Sequence, residues 1–94
     1  MSDHEVQSDF VVRNELGLHA RPAGLFVVLA GEFESEISVG RETDWVDGRS
    51  VLSLLSLAAA CGTKLSVRAV GPDAAAAVEA LGELLENPAP PRPP

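Results

Sequence analysis

The sequence predicts an α+β fold: a four-stranded antiparallel sheet covered on one face by three helices, a two-layer open-faced β-sandwich. Three short segments alternate apolar and polar residues, which indicates strands with one solvated face, and residues 44–47 can return as a further short strand after a turn. Three other segments are rich in apolar residues over helical lengths. These segments follow one another in the order β-α-β-β-α-β-α. The 94 residues are enough for a single domain, which we expect over residues 1–87.

The first half of the chain contributes a strand, a helix and a second strand. The first strand is predicted over residues 5–13, where apolar and charged side chains alternate. A helix is predicted over 20–30, a stretch that is almost wholly apolar. Pro22 falls in its first turn, where the missing N–H costs nothing, and Gly31 can end it. Alternation resumes over 33–39, which predicts the second strand.

The second half repeats the pattern after a turn over 40–43. Its elements are a third strand over 44–47, a helix over 51–60, a fourth strand over 64–69 and a last helix over 74–86. Ser50 and Asp73 stand directly before the two helices, where their side chains can cap free backbone N–H groups. Residues 88–94 are mostly proline, which predicts an extended, disordered tail.

Composition excludes several classes of protein. The net charge of −7 argues against nucleic acid as a partner, because phosphates would repel the chain. No apolar run approaches the roughly 20 residues of a membrane span, and the acidic N-terminus lacks a secretory pattern. The single cysteine, Cys61, cannot form a disulfide framework or a thiolate metal site alone. We therefore expect a cytoplasmic protein without metal or other cofactor.

A short motif stands where the first helix begins. Residues 17–23 read Gly-Leu-His-Ala-Arg-Pro-Ala. A neutral imidazole at His19 is a nucleophile, and the first N–H groups of a helix, which lack acceptors, attract an anion. Arg21 adds a permanent guanidinium that can bind phosphate oxygens. These features make His19 a candidate phosphoryl acceptor. The alternative is that His19 is an ordinary surface or capping residue.

The motif resembles the active site of the HPr family, the histidine-containing phosphocarriers of the bacterial phosphoenolpyruvate-dependent sugar phosphotransferase system. A second stretch, Val-Asp-Gly-Arg-Ser-Val-Leu over 46–52 followed by Leu-Ser-Leu-Ala-Ala over 55–59, resembles that family's signature around its regulatory serine. Gly62-Thr63 and Gly71 to Ala74 fit as well. The resemblance spans about residues 5–87, and it implies the same open-faced sandwich.

The resemblance implies a role for each residue of the first motif. His19 would accept a phosphoryl group on Nδ1 from phosphorylated enzyme I and pass it to a histidine of an enzyme IIA. Arg21 would move onto the phosphate, and the backbone N–H groups of Ala20 and Arg21 would cradle it. The chain would then be a carrier in a relay rather than a stand-alone catalyst, acting as a monomer.

The resemblance also implies a second modification site and a partner surface. In regulated members of the family a dedicated serine kinase/phosphorylase modifies the residue at Ser50; the alternative is that Ser50 is only an N-cap. Because both helix ends lie on one edge of the sandwich in this family, partners would dock beside His19. The expected docking residues are Val51, Leu52, Leu55 and Arg49, with Phe26 as a further candidate. The alternative for the apolar residues of this set is that they belong to the hydrophobic core. Arg49 would add positive charge near the site.

Several functions fit this description. The carrier could serve sugar uptake or the nitrogen-related regulatory branch of the same system. A different class is a docking module for a transcription regulator that transfers no phosphate, and retention of His19 favours the carrier. The hairpin over 40–45 departs from the family's usual turn, so that Trp45 is expected either on the sheet or folded over its edge.

Overall fold

A computed structural model describes residues 4–87. The prediction of a proline-rich tail over 88–94 falls outside these residues. The elements are β1 (His4–Val11), α1 (Ala20–Ala30), β2 (Glu36–Arg41), β3 (Asp44–Asp47), α2 (Val51–Ser56), β4 (Lys64–Gly71) and α3 (Ala74–Glu86). This order confirms the predicted α+β fold.

The four strands form one antiparallel sheet in the order β1-β4-β2-β3. Alternate residues of the two central strands, β4 and β2, are buried against the helices, which follows from the two-residue period of a strand. The largest fully buried side chains come from both layers: Phe26, Leu54, Leu65, Leu81, Val12, Val39 and Val67. The core therefore lies between the sheet and the helix layer.

The prediction that α2 continues to residue 60 is wrong, since the helix ends at Ser56. Leu57 and Ala59 are both buried, whereas Ala58 between them is exposed and takes a left-handed φ of 50°. Two buried residues separated by one exposed residue cannot share a face of an α-helix. The demand to bury both side chains ends the helix.

The first two strands also differ from their predicted bounds. The first strand ends at Val11, because the N–H of Arg13 donates to the carbonyl of Leu85 in α3 and the chain leaves the sheet. The second begins at Glu36 rather than residue 33, since the N–H of Ser35 donates to the Asp73 carboxylate.

The two predicted helix caps have different outcomes. The Ser50 side chain caps α2 as predicted, its Oγ accepting from the N–H of Ser53 at 3.2 Å. The Asp73 side chain makes no capping bond to α3. Its carboxylate accepts instead from the N–H groups of Glu34 and Ser35 and from the Ser35 hydroxyl. These three donors lower the pKa of Asp73, with the hydroxyl bond as the largest cause.

Trp45 lies on the open face of the sheet. Its partner across the β2–β3 hairpin is Gly40, and a Cβ at that position would lie 2.7 Å from the indole ring. The guanidinium of Arg68 stacks on the ring, 4.9 Å from its centroid. Of the two alternatives, the position on the sheet is the one observed.

Candidate functional site

His19 stands at the N-cap of α1 and leaves its ring free of any capping bond. Its backbone is extended, with φ −88° and ψ −172°, and its carbonyl accepts the N–H of Ala23 at 3.0 Å. The main chain of His19 therefore starts the helix while the half-buried imidazole remains available for chemistry.

Two backbone donors face outward from the start of α1. Within residues 4–87, the N–H groups of Ala20 and Arg21 have no acceptor, and Pro22 has no N–H to offer. A helix of 11 residues carries partial positive charge at this end. The two N–H groups and this charge form a site that suits an anion held on the adjacent ring.

Arg21 is the cationic residue nearest to His19 in the sequence, two positions further along. Its side chain is exposed and makes no ion pair or hydrogen bond to any residue in the described part of the chain. Three other arginines are engaged elsewhere: Arg41 and Arg49 bind carbonyl oxygens, and Arg68 stacks on Trp45. Arg21 is thus available to bind a phosphoryl group.

The loop before His19 is supported by residues that the motifs did not identify. The N–H of Leu18 donates to the carbonyl of Ala59 at 2.8 Å. Gly17 adopts a left-handed φ of 73° and lies flush against the same carbonyl, so that any Cβ would collide with it. The contact joins segments about 40 residues apart. Gly17 is the only signal for it in the sequence, because a glycine can indicate a close approach of two backbones.

Ser50 and Arg49 lie at the other end of the helix layer. The Arg49 guanidinium donates to the carbonyls of Ala30, Phe33 and Ser35, at and beyond the C-terminus of α1. The 11 residues of α1 separate that end from His19 by about 16 Å at 1.5 Å per residue. The expectation that Arg49 adds positive charge near His19 is therefore wrong.

The outer surface of the helix layer carries unusually exposed apolar side chains. Leu52, predicted as a docking residue, is 80% exposed, while Val51 and Leu55 are half-buried. Phe26 is 1% exposed and belongs to the core, so it is not part of this surface. Three exposed apolar side chains were missed by the sequence reasoning: Leu16, Leu25 and Val28.

The exposed residues of α1 form one stripe with Arg21. Leu25 follows it by four residues and Val28 by three more, which places all three on one face of the helix. This spacing was visible in the sequence, but the uniformly apolar segment concealed which face is buried. Leu25 and Val28 are of the same residue types as the core residues, and only their position on the helix leaves them exposed.

The described residues provide neither a metal site nor a membrane span. Among residues 4–87, no three His, Cys, Asp or Glu side chains are grouped so that they could hold a metal ion. No helix within that range combines the length and apolar character needed to span a membrane.

Comparison with known proteins gives one consistent result. A family model described as the PTS HPr component phosphorylation site matches residues 6–87. The phosphocarrier protein HPr of Treponema pallidum is 41% identical over 76 residues, covering 81% of this chain and 86% of that protein. The crystal structure of a phosphocarrier protein HPr from Bacillus anthracis superposes with a TM-score of 0.84 at 34% identity, covering 87% and 98% of the chains. The HPr dimer from Thermoanaerobacter tengcongensis gives 0.66 at 38% identity, covering 78% and 84%.

Proposed function

The chain belongs to the HPr family, the phosphocarrier proteins of the phosphotransferase system, and from this premise we propose that His19 is its phosphoryl acceptor. The group is accepted on Nδ1 from the phosphohistidine of enzyme I and passed to a histidine of an enzyme IIA protein. One observation carries the proposal: the ring of His19 has no capping bond, beside two backbone N–H groups without acceptors in residues 4–87.

The transfer exchanges one N–P bond for another. The Nδ1 lone pair of His19 attacks phosphorus in line, and the bond to the donor nitrogen breaks, returning its electron pair to the donor ring. One ring proton moves in the opposite sense, so charge balances and no water is consumed. Little covalent work is asked of the protein, because the reaction depends on positioning and on compensation of the phosphoryl charge. The N–H groups of Ala20 and Arg21 and the Arg21 guanidinium supply that compensation.

The partners dock on the outer surface of the helix layer. A standard interface covers about 800 Å² per partner, a disc of roughly 16 Å radius. Centred on His19, it extends beyond Val28, which lies nine residues further at about 13.5 Å along α1. The exposed Leu25 and Val28 fall within such a footprint, and burying apolar surface stabilises the complex. We assign the exposed Leu52 of α2 to the same surface. The chain binds each partner as a monomer in the cytoplasm.

Ser50 has a structural role and, we propose, a regulatory one. Its Oγ caps α2. A kinase that phosphorylates it would add about two negative charges at the far end of the docking surface, next to Arg49. The effect on transfer would then be exerted on partner binding, because Ser50 follows Arg49, whose guanidinium binds the C-terminal end of α1, opposite to the end that carries His19.

The test is phosphorylation by enzyme I. We expect incubation with phosphoenolpyruvate, magnesium and a cognate enzyme I to give one acid-labile, base-stable phosphate per chain. His19→Ala should lack it, and His4→Ala, which removes the only other histidine, should keep it. Arg21→Ala should stay folded and accept phosphate roughly tenfold to a hundredfold more slowly, since one charge-compensating group is lost. An adduct that survives in His19→Ala would falsify the assignment.

A further inference from the structure

The loop that carries His19 rests on the backbone turn that follows α2. The N–H of Leu18 donates to the carbonyl of Ala59 at 2.8 Å, immediately before His19. A Cβ at Gly17 would collide with that same carbonyl and lie 2.9 Å from the Cα of Ala60. The position of the His19 backbone therefore follows the position of this turn.

The turn is itself held in an unfavourable conformation. Ala58 adopts a left-handed φ of 50°, which costs free energy for any residue that has a Cβ. Its neighbours Leu57 and Ala59 are buried, so their side chains hold the turn against the hydrophobic core. Such a conformation persists only where surrounding contacts impose it.

Arg41 supplies a contact of that kind. It is the last residue of β2, and the alternation of that strand points its half-buried side chain toward the helix layer. One guanidinium nitrogen donates to the carbonyl of Leu57 at 2.9 Å and to that of Ala58 at 3.1 Å. These carbonyls flank the left-handed residue and lie at the C-terminal end of α2, where free carbonyls attract a cation.

We propose that Arg41 is a positioning residue for phosphoryl transfer, acting on His19 through the turn at 57–60. Its guanidinium holds Leu57 and Ala58, the adjoining carbonyl of Ala59 holds Leu18, and Leu18 precedes the acceptor. The inference rests on the proposed role of His19. It adds a residue 22 positions away along the chain, whose guanidinium binds main-chain carbonyls of the turn.

Loss of Arg41 should affect the chemical step more than partner binding. With its guanidinium absent, the turn can relax out of the left-handed conformation, and the loop resting on it shifts. The ring of His19 and the N–H groups of Ala20 and Arg21 then no longer converge on one phosphoryl position. A misplacement of about 1 Å can slow a reaction by up to a hundredfold, whereas the exposed side chains of α1 that meet a partner are unchanged.

The experiment compares Arg41→Ala with Arg49→Ala. Arg49 is the matched control, because its guanidinium also binds main-chain carbonyls but does so at the opposite end of the helix layer. Each variant is assayed as the substrate of phosphorylated enzyme I, giving separate kcat and KM values. The ring signals of His19 and the amide signal of Leu18 are followed by NMR, and urea unfolding measures stability.

We expect Arg41→Ala to lower kcat about tenfold with little change in KM and to shift the His19 and Leu18 signals. Arg49→Ala should lose stability and keep both NMR signals; because Arg49 belongs to the docking surface, any change in its transfer should appear in KM and not in kcat. Arg41→Lys, which retains a donor, should recover part of the rate. Ala58→Gly added to Arg41→Ala should also recover part of it, because glycine keeps the left-handed turn without help.

Two results would overturn the inference: Arg41→Ala with unchanged kcat and unchanged His19 signals, or Arg49→Ala with an equal loss of both. If Arg41→Ala does not fold, the single variant Arg41→Lys and the double variant Arg41→Ala with Ala58→Gly are measured in its place, and their kcat values and His19 signals decide. If the parent chain accepts no phosphate, the proposed function fails, whereas the NMR comparison still tests whether Arg41 positions His19.

Discussion

The two ends of the helix layer are built from similar contacts but differ in what those contacts hold. At one end Arg41 binds the carbonyls that follow α2, and at the other Arg49 binds those that follow α1. The His19 end contains left-handed residues, Gly17 and Ala58, and an imidazole free of capping bonds. At the Ser50 end, the polar side chains of Ser35, Arg49 and Ser50 form hydrogen bonds with other residues of the chain.

This difference separates reactivity from stability within one small domain. The Ser50 end joins four elements through buried or half-buried bonds: Ser35 is fully buried, its hydroxyl and N–H bind Asp73, and its carbonyl binds Arg49. The His19 end keeps donors and a cation unpaired within the described residues, which costs stability but leaves them available for the phosphoryl group that we propose His19 accepts. Changes at the two ends should therefore have different consequences.

The largest expected effect is that of Gly17→Ala at the His19 end. A Cβ at a φ of 73° is strained, and here it would also collide with the backbone at Ala59. Together these should cost about 2 kcal/mol or more of unfolding free energy and disturb the loop of His19. Urea unfolding and the kcat of phosphoryl acceptance should both fall. Gly24→Ala is the control, since a Cβ there meets nothing within 4 Å and the position is helical. Equal behaviour of the two variants would contradict the comparison.

The Ser50 end should respond to acid. The folded protein lowers the pKa of Asp73, chiefly through the Ser35 hydroxyl and the N–H of Glu34, so the unfolded chain binds a proton at higher pH. The stability from this carboxylate is present above the ordinary pKa of an aspartate, about 3.9, and is lost as pH falls through the lowered value.

The measurement is the urea midpoint as a function of pH. It should fall on acidification in the parent chain, whereas Asp73→Asn should be less stable at neutral pH and lose less on acidification. Ser35→Ala should give an intermediate result, because it removes the largest cause of the lowered pKa and leaves the two backbone donors. An acid response of Asp73→Asn equal to that of the parent would show that other carboxylates carry it.

The smallest effect on stability is expected at Ser50. Ser50→Ala removes the cap of α2 and should cost about 1 kcal/mol. Ser50→Asp keeps a capping oxygen, so its stability should stay near that of the parent while its added charge weakens coupling to enzyme I. The KM for phosphorylated enzyme I, measured beside urea unfolding, separates the two roles. If Ser50→Asp leaves KM unchanged, Ser50 acts as a cap alone.

Most elements of the fold followed from local patterns. The bounds of α1, β3 and α3 were predicted to the residue, since each is delimited by glycine, proline or a change of period. The bounds of α2 were not, because its continuation through Leu57, Ala58 and Ala59 is apolar throughout and suits a helix locally. The sheet and helix layer require Leu57 and Ala59 to be buried together, and that demand decides the end of the helix.

The sequence by itself determined the order of elements, the family and the candidate acceptor, because period, turn residues and a short motif are properties of neighbouring residues. Only the tertiary structure decided which charged groups remain available. Arg21, Arg41 and Arg49 have the same chemistry, yet Arg41 and Arg49 bind carbonyls and only Arg21 stands unpaired, within the described chain, beside His19. Asp73 likewise could have capped α3 but binds Ser35. Such choices depend on distances between residues remote in the chain, which no local pattern contains.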